Sequence, residues 1–297
     1  MAVIACHSRA GGNPVFVHWK HKEGIIVSEQ EEFIHYPVSF SAAGRRLAGE
    51  MIHAGEGSSE GYPHLVFLHE GLGSVGQWKD FPLSLCKRTK LPALVFDRWG
   101  YGKSEPCDKI SDVWYLHEEA LTSLPQVLAH FGIERSILVG HSDGGSIALM
   151  FAAAHPENVC CLMTEAAHVF VEDVTLEGIR EAVQVYEDTN LRERLAKYHG
   201  EKTDLIFKRW SETWLAPSFR EWNIENYLPK VNCPVLAIQG KDDPYGTPAQ
   251  VDAIVRQVSG PSSGLIIPAC GHIPHFQARE VVIQAMTDFI VASCPMV

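Results

Sequence analysis

One serine of this sequence stands in a setting that favours nucleophilic chemistry. The stretch at 137–156, ILVGHSDGGSIALMFAAAHP, is typical of a buried strand, a sharp turn and a helix, and G-x-S-x-G spans the turn. A nucleophile on such a turn has strained backbone angles, so only small residues fit two positions before and after it. Gly140 and Gly144 meet that requirement. Ser142 is therefore a candidate nucleophile for acyl transfer, with a helix N-terminus behind it that favours negative charge.

Candidate partners follow the serine in the order acid, then histidine. They carry weight because a lone G-x-S-x-G can also be a glycine-rich connection with an incidental serine. Asp243 follows a predicted strand in IQGKDDPYG, and His272 follows the next strand in PACGHIPHF. The alternatives are Asp242 and His275. They are disfavoured because a proline fixes the turn after Asp243 and a glycine leaves room before His272. His272 would take the serine's proton, while Asp243 would orient the imidazole and stabilise the imidazolium.

The elements that must position these residues alternate along the chain. Residues 32–40 and 45–54 indicate a hairpin joined by SAAG. Continuous apolar runs, typical of strands buried on both faces of a parallel sheet, stand at 65–69, 93–97, 137–141, 159–165, 234–240 and 264–269. The first three are each followed by glycines and a segment of helical period. The class is therefore α/β with a mostly parallel sheet.

One long segment interrupts this alternation. Residues 168–230 carry helical periodicity and many aromatic residues but no strand signal. Such an insert is usually a cap over the carboxyl ends of the strands, and the alternative is that its helices pack elsewhere on the body. We expect residues 31–167 and 231–297 to form the core domain and 168–230 the cap. Residues 1–30 lack a sustained hydrophobic period and are expected to be a disordered N-terminal extension.

Five short segments together resemble the α/β-hydrolase superfamily. In the family's order they are HEGLGS (69–74), FDRWGYGKS (96–104), GHSDGG (140–145), QGKDDP (239–244) and CGHIPH (270–275). The resemblance implies the α/β-hydrolase fold, with a mostly parallel sheet of about eight strands, helices on both faces, a helical cap and a Ser–His–Asp triad. Within the superfamily the sequence is most similar to small bacterial carboxylesterases, lactonases and carbon–carbon bond hydrolases.

The anion formed by serine attack needs donors that are already in position. One expected donor is the backbone N–H of Asp143, and the other is that of Gly71 or Leu72, with Gly71 favoured by its place after the position of the family's H-G pair. Asp143 is not itself the expected nucleophile, because that register would put a histidine at a small-residue position; its carboxylate is expected to point away. Glu70 replaces the family's usual glycine. We expect its carboxylate to tether this loop, with Arg98 as the partner.

Aromatic and polar side chains of the loops and the cap are candidates for substrate contacts. They favour a small, largely apolar acyl or aromatic substrate, although aromatics at helical spacing more often form a cap's own core. Glu165 is expected either to orient a polar group or to pair with His168. The candidate substrate contacts are Trp78, Trp99, His168, Phe170, Trp210 and Trp214.

Composition excludes several classes of partner. The chain has 297 residues and a net charge of −11, so it lacks the clustered cations that nucleic acids and anionic membranes require. Its eight cysteines show no metal-site spacing, and the expected chemistry needs no metal or organic cofactor. The apolar run at 2–5 is too short for a signal peptide, which favours a cytoplasmic protein. The expected partner is a small molecule, and the sequence leaves open whether the protein is a homo-oligomer.

The sequence therefore predicts a serine hydrolase that acts on an ester, a thioester or a lactone. Two alternatives stay open. The same triad can hydrolyse a carbon–carbon bond in a ring-cleavage product, and a hydrolase fold can serve as a ligand receptor with little turnover. Ester turnover separates an enzyme from a receptor, and ring-cleavage products separate the two chemistries.

Overall fold

Within the part of the chain that the structure describes, a sheet of ten strands forms the centre of the protein. The computed structural model describes residues 21–22, 25–26, 33–55, 61–108 and 112–294. The strands are β1 His21–Lys22, β2 Ile25–Ile26, β3 Phe33–Ala42, β4 Arg45–Ala54, β5 His64–Leu68, β6 Ala93–Asp97, β7 Ser136–His141, β8 Val159–Glu165, β9 Val235–Gly240 and β10 Ser262–Ile267.

The sheet is mostly parallel. Its strand order is β1-β2-β3-β4-β6-β5-β7-β8-β9-β10, and β5 to β10 all run in one direction. The hairpin of β3 and β4 is antiparallel, with Ala42 opposite Arg45, and β4 joins the parallel part through an antiparallel pairing with β6. The predicted class and the eight strands from β3 to β10 are therefore confirmed. Two short strands extend the sheet at the β3 edge.

Helices cover both faces of this sheet. Leu65 and Phe67 of β5 point to one face, whereas Val66 and Leu68 point to the other. Each face packs against apolar helix residues, so the central strands are buried on both sides. The helices are α1 Phe81–Thr89, α2 Tyr115–Glu118, α3 Leu124–His130, α4 Asp143–Ala154, α5 Asp173–Asp188, α6 Leu191–His199, α7 Thr203–Leu215, α8 Ala249–Gln257, α9 Pro274–Gln277 and α10 Arg279–Ser293.

The face under Leu65 packs on α1 and α10, and the face under Val66 packs on α3, α4 and α8. Between β8 and β9 the chain forms α5, α6 and α7, as the helical periodicity predicted. The division into a core at 31–167 and 231–297 and a cap at 168–230 stays a prediction. The expectation of disorder at 1–30 falls largely outside the described residues. Within the described ranges, no helix has the length and apolarity needed to cross a membrane.

Candidate active site

The predicted nucleophile lies on a strained turn at the end of a central strand. β7 ends at His141, and Ser142 has φ 53° and ψ −117°, a combination that few side-chain-bearing residues adopt. A Cβ on Gly140 would lie 2.3 Å from the carbonyl oxygen of Gly144, and a Cβ on Gly144 would lie 1.9 Å from that of Leu68. Both small residues are therefore sterically required. The turn places Ser142 between the end of β7 and the start of α4, on the wall of a cavity.

Ser142, His272 and Asp243 form a continuous hydrogen-bonded chain. His272 Nε2 lies 3.0 Å from Ser142 Oγ, and His272 Nδ1 lies 2.9 Å from each carboxylate oxygen of Asp243. The residues come together because β7, β9 and β10 are parallel, so the loops after them meet at one edge of the sheet. With Nδ1–H donating to the carboxylate, the lone pair of Nε2 faces the serine hydroxyl.

The environment of Asp243 keeps its carboxylate charged. The backbone N–H of Tyr245 donates to Asp243 Oδ1 at 2.8 Å, and Gln239 Nε2 donates to Oδ2 at 3.3 Å. Burial raises the pKa of Asp243, but the charge and hydrogen bond of His272 and the Tyr245 amide outweigh it, so that this pKa is lowered. The carboxylate can therefore stabilise an imidazolium on His272.

The two alternative residues are engaged elsewhere or point to solvent. Asp242 is exposed, whereas Asp243 beside it is buried. His275 is buried, and its Nδ1 lies 3.1 Å from Glu165 Oε2 while its backbone N–H donates to the same oxygen at 2.7 Å. Of the two alternatives for Glu165, pairing with His168 is therefore wrong, because Glu165 at the end of β8 contacts His275 of α9 instead.

Two of the predicted oxyanion donors, Gly71 and Leu72, line the same cavity as Ser142, and the third, Asp143, directly follows Ser142. Asp143 is the first residue of α4, so its N–H has no acceptor within the helix. Gly71 and Leu72 line the cavity beside Ser142, in a turn closed by a 3.0 Å hydrogen bond from Gly73 N–H to Glu70 O. The carboxylate of Asp143 points into a buried cluster, where Tyr115 donates to Oδ2 at 2.9 Å and Arg98 Nη2 lies 3.4 Å away.

Glu70 tethers its loop through a different partner from the one expected. Its Oε2 lies 3.2 Å from His141 Nδ1. Arg98 Nη2 donates instead to the backbone oxygen of Glu70, at 2.9 Å. The predicted Glu70–Arg98 carboxylate contact is therefore wrong, because the Arg98 guanidinium contacts the Glu70 carbonyl and the carboxylate of Asp143 instead.

A cavity of about 430 Å³ opens over the serine and the histidine. Four of the six candidate substrate residues line it: Trp78, His168, Trp210 and Trp214. Trp99 and Phe170 do not. The Arg45 guanidinium lies 3.6 Å from the centre of the Trp99 ring, and Phe170 forms a backbone bridge to Asn223. A position on a loop near the site suggested both residues, but such a position does not determine the direction of a side chain.

His168 is a neutral polar group in this apolar wall. Its Nε2 lies 2.9 Å from the carbonyl oxygen of Tyr245, so Nε2 carries the proton and Nδ1 is an acceptor. Within the described part of the chain, that Nδ1 is buried without a hydrogen-bond partner. Burial, reinforced by the charge of His272, lowers the pKa of His168.

Several residues of the cavity wall were not predicted from the sequence. Leu191, Leu195 and Tyr198 of α6 lie four and three residues apart and form one helical stripe, which was a usable signal. Tyr245, Ile273 and Phe276 lie within four residues after Asp243 or His272, and no sequence pattern indicated that they face the cavity. In the described ranges, no group of three or more His, Cys, Asp or Glu side chains is arranged to hold a metal ion.

Residues 65–285 match the model of the Alpha/beta hydrolase family. The chain belongs to this family. The chain is also 28% identical over 284 residues to the serine hydrolase BPHL of Homo sapiens, covering 91% of this chain and 93% of that protein. It is 22% identical over 265 residues to 2-hydroxy-6-oxononadienedioate/2-hydroxy-6-oxononatrienedioate hydrolase of Comamonas testosteroni, covering 80% and 89%.

Solved structures show the same fold. The 2-hydroxy-6-oxo-6-phenylhexa-2,4-dienoate hydrolase of Rhodococcus sp. strain RHA1 superposes with a TM-score of 0.70 at 16% identity, covering 88% of this chain and 100% of that one. The predicted superfamily and the α/β-hydrolase fold are thus confirmed, and the protein is a hydrolase.

Proposed function

We propose that this hydrolase cleaves a carboxylic ester, a thioester or a lactone through an acyl-enzyme on Ser142. The observation that carries the proposal is the 3.0 Å distance from His272 Nε2 to Ser142 Oγ, with Asp243 on the other ring nitrogen. The relative named a serine hydrolase supports it, because that alignment spans nearly the whole of both chains.

Each group has one role in this reaction. Ser142 Oγ attacks the carbonyl carbon while His272 Nε2 accepts the hydroxyl proton, and Asp243 stabilises the imidazolium. The N–H groups of Asp143 and of Gly71 or Leu72 receive the oxyanion, and each such donor lowers the barrier by about 3 kcal/mol. His272 then protonates the leaving alcohol or thiol. In the second half it takes a proton from the water that hydrolyses the acyl-enzyme.

The cavity favours a small and largely apolar acyl group. Its volume of about 430 Å³ lies within the usual range for small-molecule sites, and its wall is mainly aromatic and aliphatic. Nucleophile, base and oxyanion donors all come from the chain, so the proposed reaction requires no cofactor. A small molecule is therefore the proposed partner.

The test is hydrolysis of p-nitrophenyl esters of increasing acyl length by the wild type and by Ser142→Ala. Ser123→Ala is the matched control, because this buried hydroxyl has no partner within the described residues. We expect Ser142→Ala to lose at least about 10³-fold in kcat and Ser123→Ala to keep wild-type turnover. Equal activity of Ser142→Ala and wild type would contradict the proposal. The acyl length with the highest kcat/KM then measures the usable depth of the cavity.

A second candidate is hydrolysis of a carbon–carbon bond in a ring-cleavage product. It is favoured by the names of two similar proteins, both hydrolases of 2-hydroxy-6-oxo dienoates. The test is to incubate the wild type with such a dienoate and to monitor the loss of the dienoate by its absorbance. Turnover of the dienoate without turnover of any ester would favour this candidate over the first.

A further inference from the structure

His141 makes two hydrogen bonds that its neutral form could not make together. Its Nδ1 lies 3.2 Å from Glu70 Oε2, and its Nε2 lies 2.7 Å from the backbone carbonyl oxygen of His272. A carboxylate and a carbonyl oxygen only accept hydrogen bonds, so both ring nitrogens must carry a proton. The geometry therefore selects the imidazolium cation, in a side chain that is 1% exposed.

The two partners of His141 belong to different parts of the active site. His141 directly precedes Ser142 on the chain, and Glu70 directly precedes Gly71 in the oxyanion loop. The accepted carbonyl is that of His272 itself. One buried cation thus connects the segment of the nucleophile, the segment of an oxyanion donor and the segment of the base.

The groups around His141 hold it in the charged form. Glu70 faces it from the loop after β5, Glu165 from the end of β8, and the rings of His272 and His275 lie with centroids 5.2 and 5.0 Å from its own. Burial lowers the pKa of His141, but the hydrogen bond and charge of Glu70, helped by the charge of Glu165, raise it to about 9. Burial raises the pKa of Glu70, yet the hydrogen bond and charge of His141 bring it well below its usual range.

We propose that the Glu70–His141 ion pair is a positioning device, in which the His141 cation keeps the oxyanion loop and the backbone of His272 in register with Ser142. This inference rests on the proposed function, because it gives the pair a role in serine chemistry. Neither residue exchanges a proton with the substrate. Both act through the placement of their neighbours.

The pair has a limited pH range. A histidine whose pKa is higher in the folded protein contributes stability that is fully present below its unfolded value near 6.5 and is lost as pH rises through the folded value. For His141 that loss falls around pH 9. Above it the neutral ring can donate only one hydrogen bond, so either the loop or the His272 backbone loses its tether. We therefore expect kcat to decline on the alkaline side near this pH.

The test compares Glu70→Gln with Glu50→Gln across about pH 6 to pH 10 on an ester that the wild type hydrolyses. Both substitutions remove the carboxylate of a histidine–glutamate pair. The control pair, His35 and Glu50, has a 2.6 Å contact on the β3–β4 hairpin, and β4 is separated from β7 by two strands of the sheet. Glu70→Gln should lower kcat by about tenfold to a hundredfold with a smaller change in KM, and should shift the alkaline decline about one pH unit or more downward. Glu50→Gln should change neither.

A conservative variant and a direct titration complete the test. Glu70→Asp keeps the negative charge, so its alkaline decline should stay closer to that of the wild type even if kcat falls. The imidazole resonances of the wild type, followed by NMR, should include a buried ring that stays protonated up to about pH 9 and that is absent from His141→Gln.

Three results separate the possible failures. An unshifted alkaline decline in folded Glu70→Gln would overturn the positioning role while leaving the ester hydrolase intact. A His141 ring that is neutral at pH 7 would overturn it even if Glu70→Gln does not fold. Absence of any wild-type ester turnover would instead contradict the proposed function.

Discussion

Asp243 and Asp242 stand side by side but have opposite environments. Asp243 is buried and holds His272 Nδ1, whereas Asp242 is exposed. A buried carboxylate on Nδ1 maintains the histidine tautomer that can accept the serine proton, and an exposed carboxylate away from the ring cannot. The sequence favoured Asp243 from its position after Gly240 and from the proline that follows it, and the structure brings that residue, not its neighbour, to His272.

The expected result for Asp243→Asn is a loss of about 10³ to 10⁴ in kcat with little change in KM, because the amide would favour the wrong histidine tautomer. Steady-state kinetics on the best ester measures it. Asp242→Asn is the matched control and should retain wild-type kcat. Comparable losses in the two variants would mean that His272 is not oriented by Asp243.

The aromatic residues divide into those that line the cavity and those that do not. Trp210 borders it, while Trp99 packs against Arg45. We expect Trp210→Leu to change kcat/KM by about tenfold and to shift the preferred acyl length, because it alters the cavity wall. Trp99→Leu should leave the acyl-length profile unchanged. An equal shift of that profile in both variants would show that the described cavity is not the acyl site.

At the scale of elements, the central strands were predictable because apolar runs this short and continuous are typical of strands that are buried on both faces. The turn at Ser142 was predictable because the turn requires small residues two positions before and after the serine, and the G-x-S-x-G pattern shows them. The partner of Glu70 was not predictable, because His141 lies 71 positions further along the chain and neither residue belongs to a periodic pattern. That Trp99 and Phe170 lie outside the cavity wall was also not predictable, because a loop position carries no information about side-chain direction.

The strand–turn–helix element depends on close backbone contact. Gly144→Ala is expected to destabilise the protein by about 3 kcal/mol or more, because the new methyl would overlap the Leu68 carbonyl and force β5 and α4 apart. Urea unfolding followed by circular dichroism measures the loss. Gly132→Ala is the control: its φ of 63° is positive, unlike that of Gly144, but no atom lies within 4 Å of the added carbon. That variant should lose only about 1 kcal/mol. Equal losses would show that overlap with the Leu68 carbonyl costs no more than placing an alanine at a positive φ.

At the scale of the whole molecule, buried carboxylates link the segments that assemble the active site. Glu165 at the end of β8 binds His275 on α9. Burial raises the pKa of Glu165, but the charge and hydrogen bonds of His275 and the charge of His141 outweigh it, so that this pKa is lowered. Such a group stabilises the fold above its unfolded pKa, and that contribution is lost as pH falls through the folded value.

Glu165→Gln should therefore reduce the free energy of unfolding by about 2 kcal/mol or more at pH 7 and by less near pH 3, because the contribution of the ionised carboxylate is lost as pH falls through its lowered pKa. Urea unfolding of both proteins at the two pH values measures the difference. The same deficit at both pH values would mean that the ionised carboxylate is not what stabilises this contact.

The shape of the cavity was the property least accessible from the sequence. It depends on how α6 and α7 pack over the ends of the strands, and their amphipathic pattern shows which face is buried but not what it is buried against. Tyr198 and Trp210 reach the same cavity from these two helices. The sequence could therefore predict an apolar site without predicting its volume.

The most direct test of the account is to trap the acyl-enzyme. The wild type is mixed with p-nitrophenyl acetate, quenched in acid within the first turnover, digested and analysed by mass spectrometry, with Ser142→Ala treated in parallel. We predict one acetyl group on the peptide that contains GHSDGG, at Ser142, and none on that peptide from the variant. Catalytic release of p-nitrophenol with the acyl group on another residue, or equally in Ser142→Ala, would contradict the account.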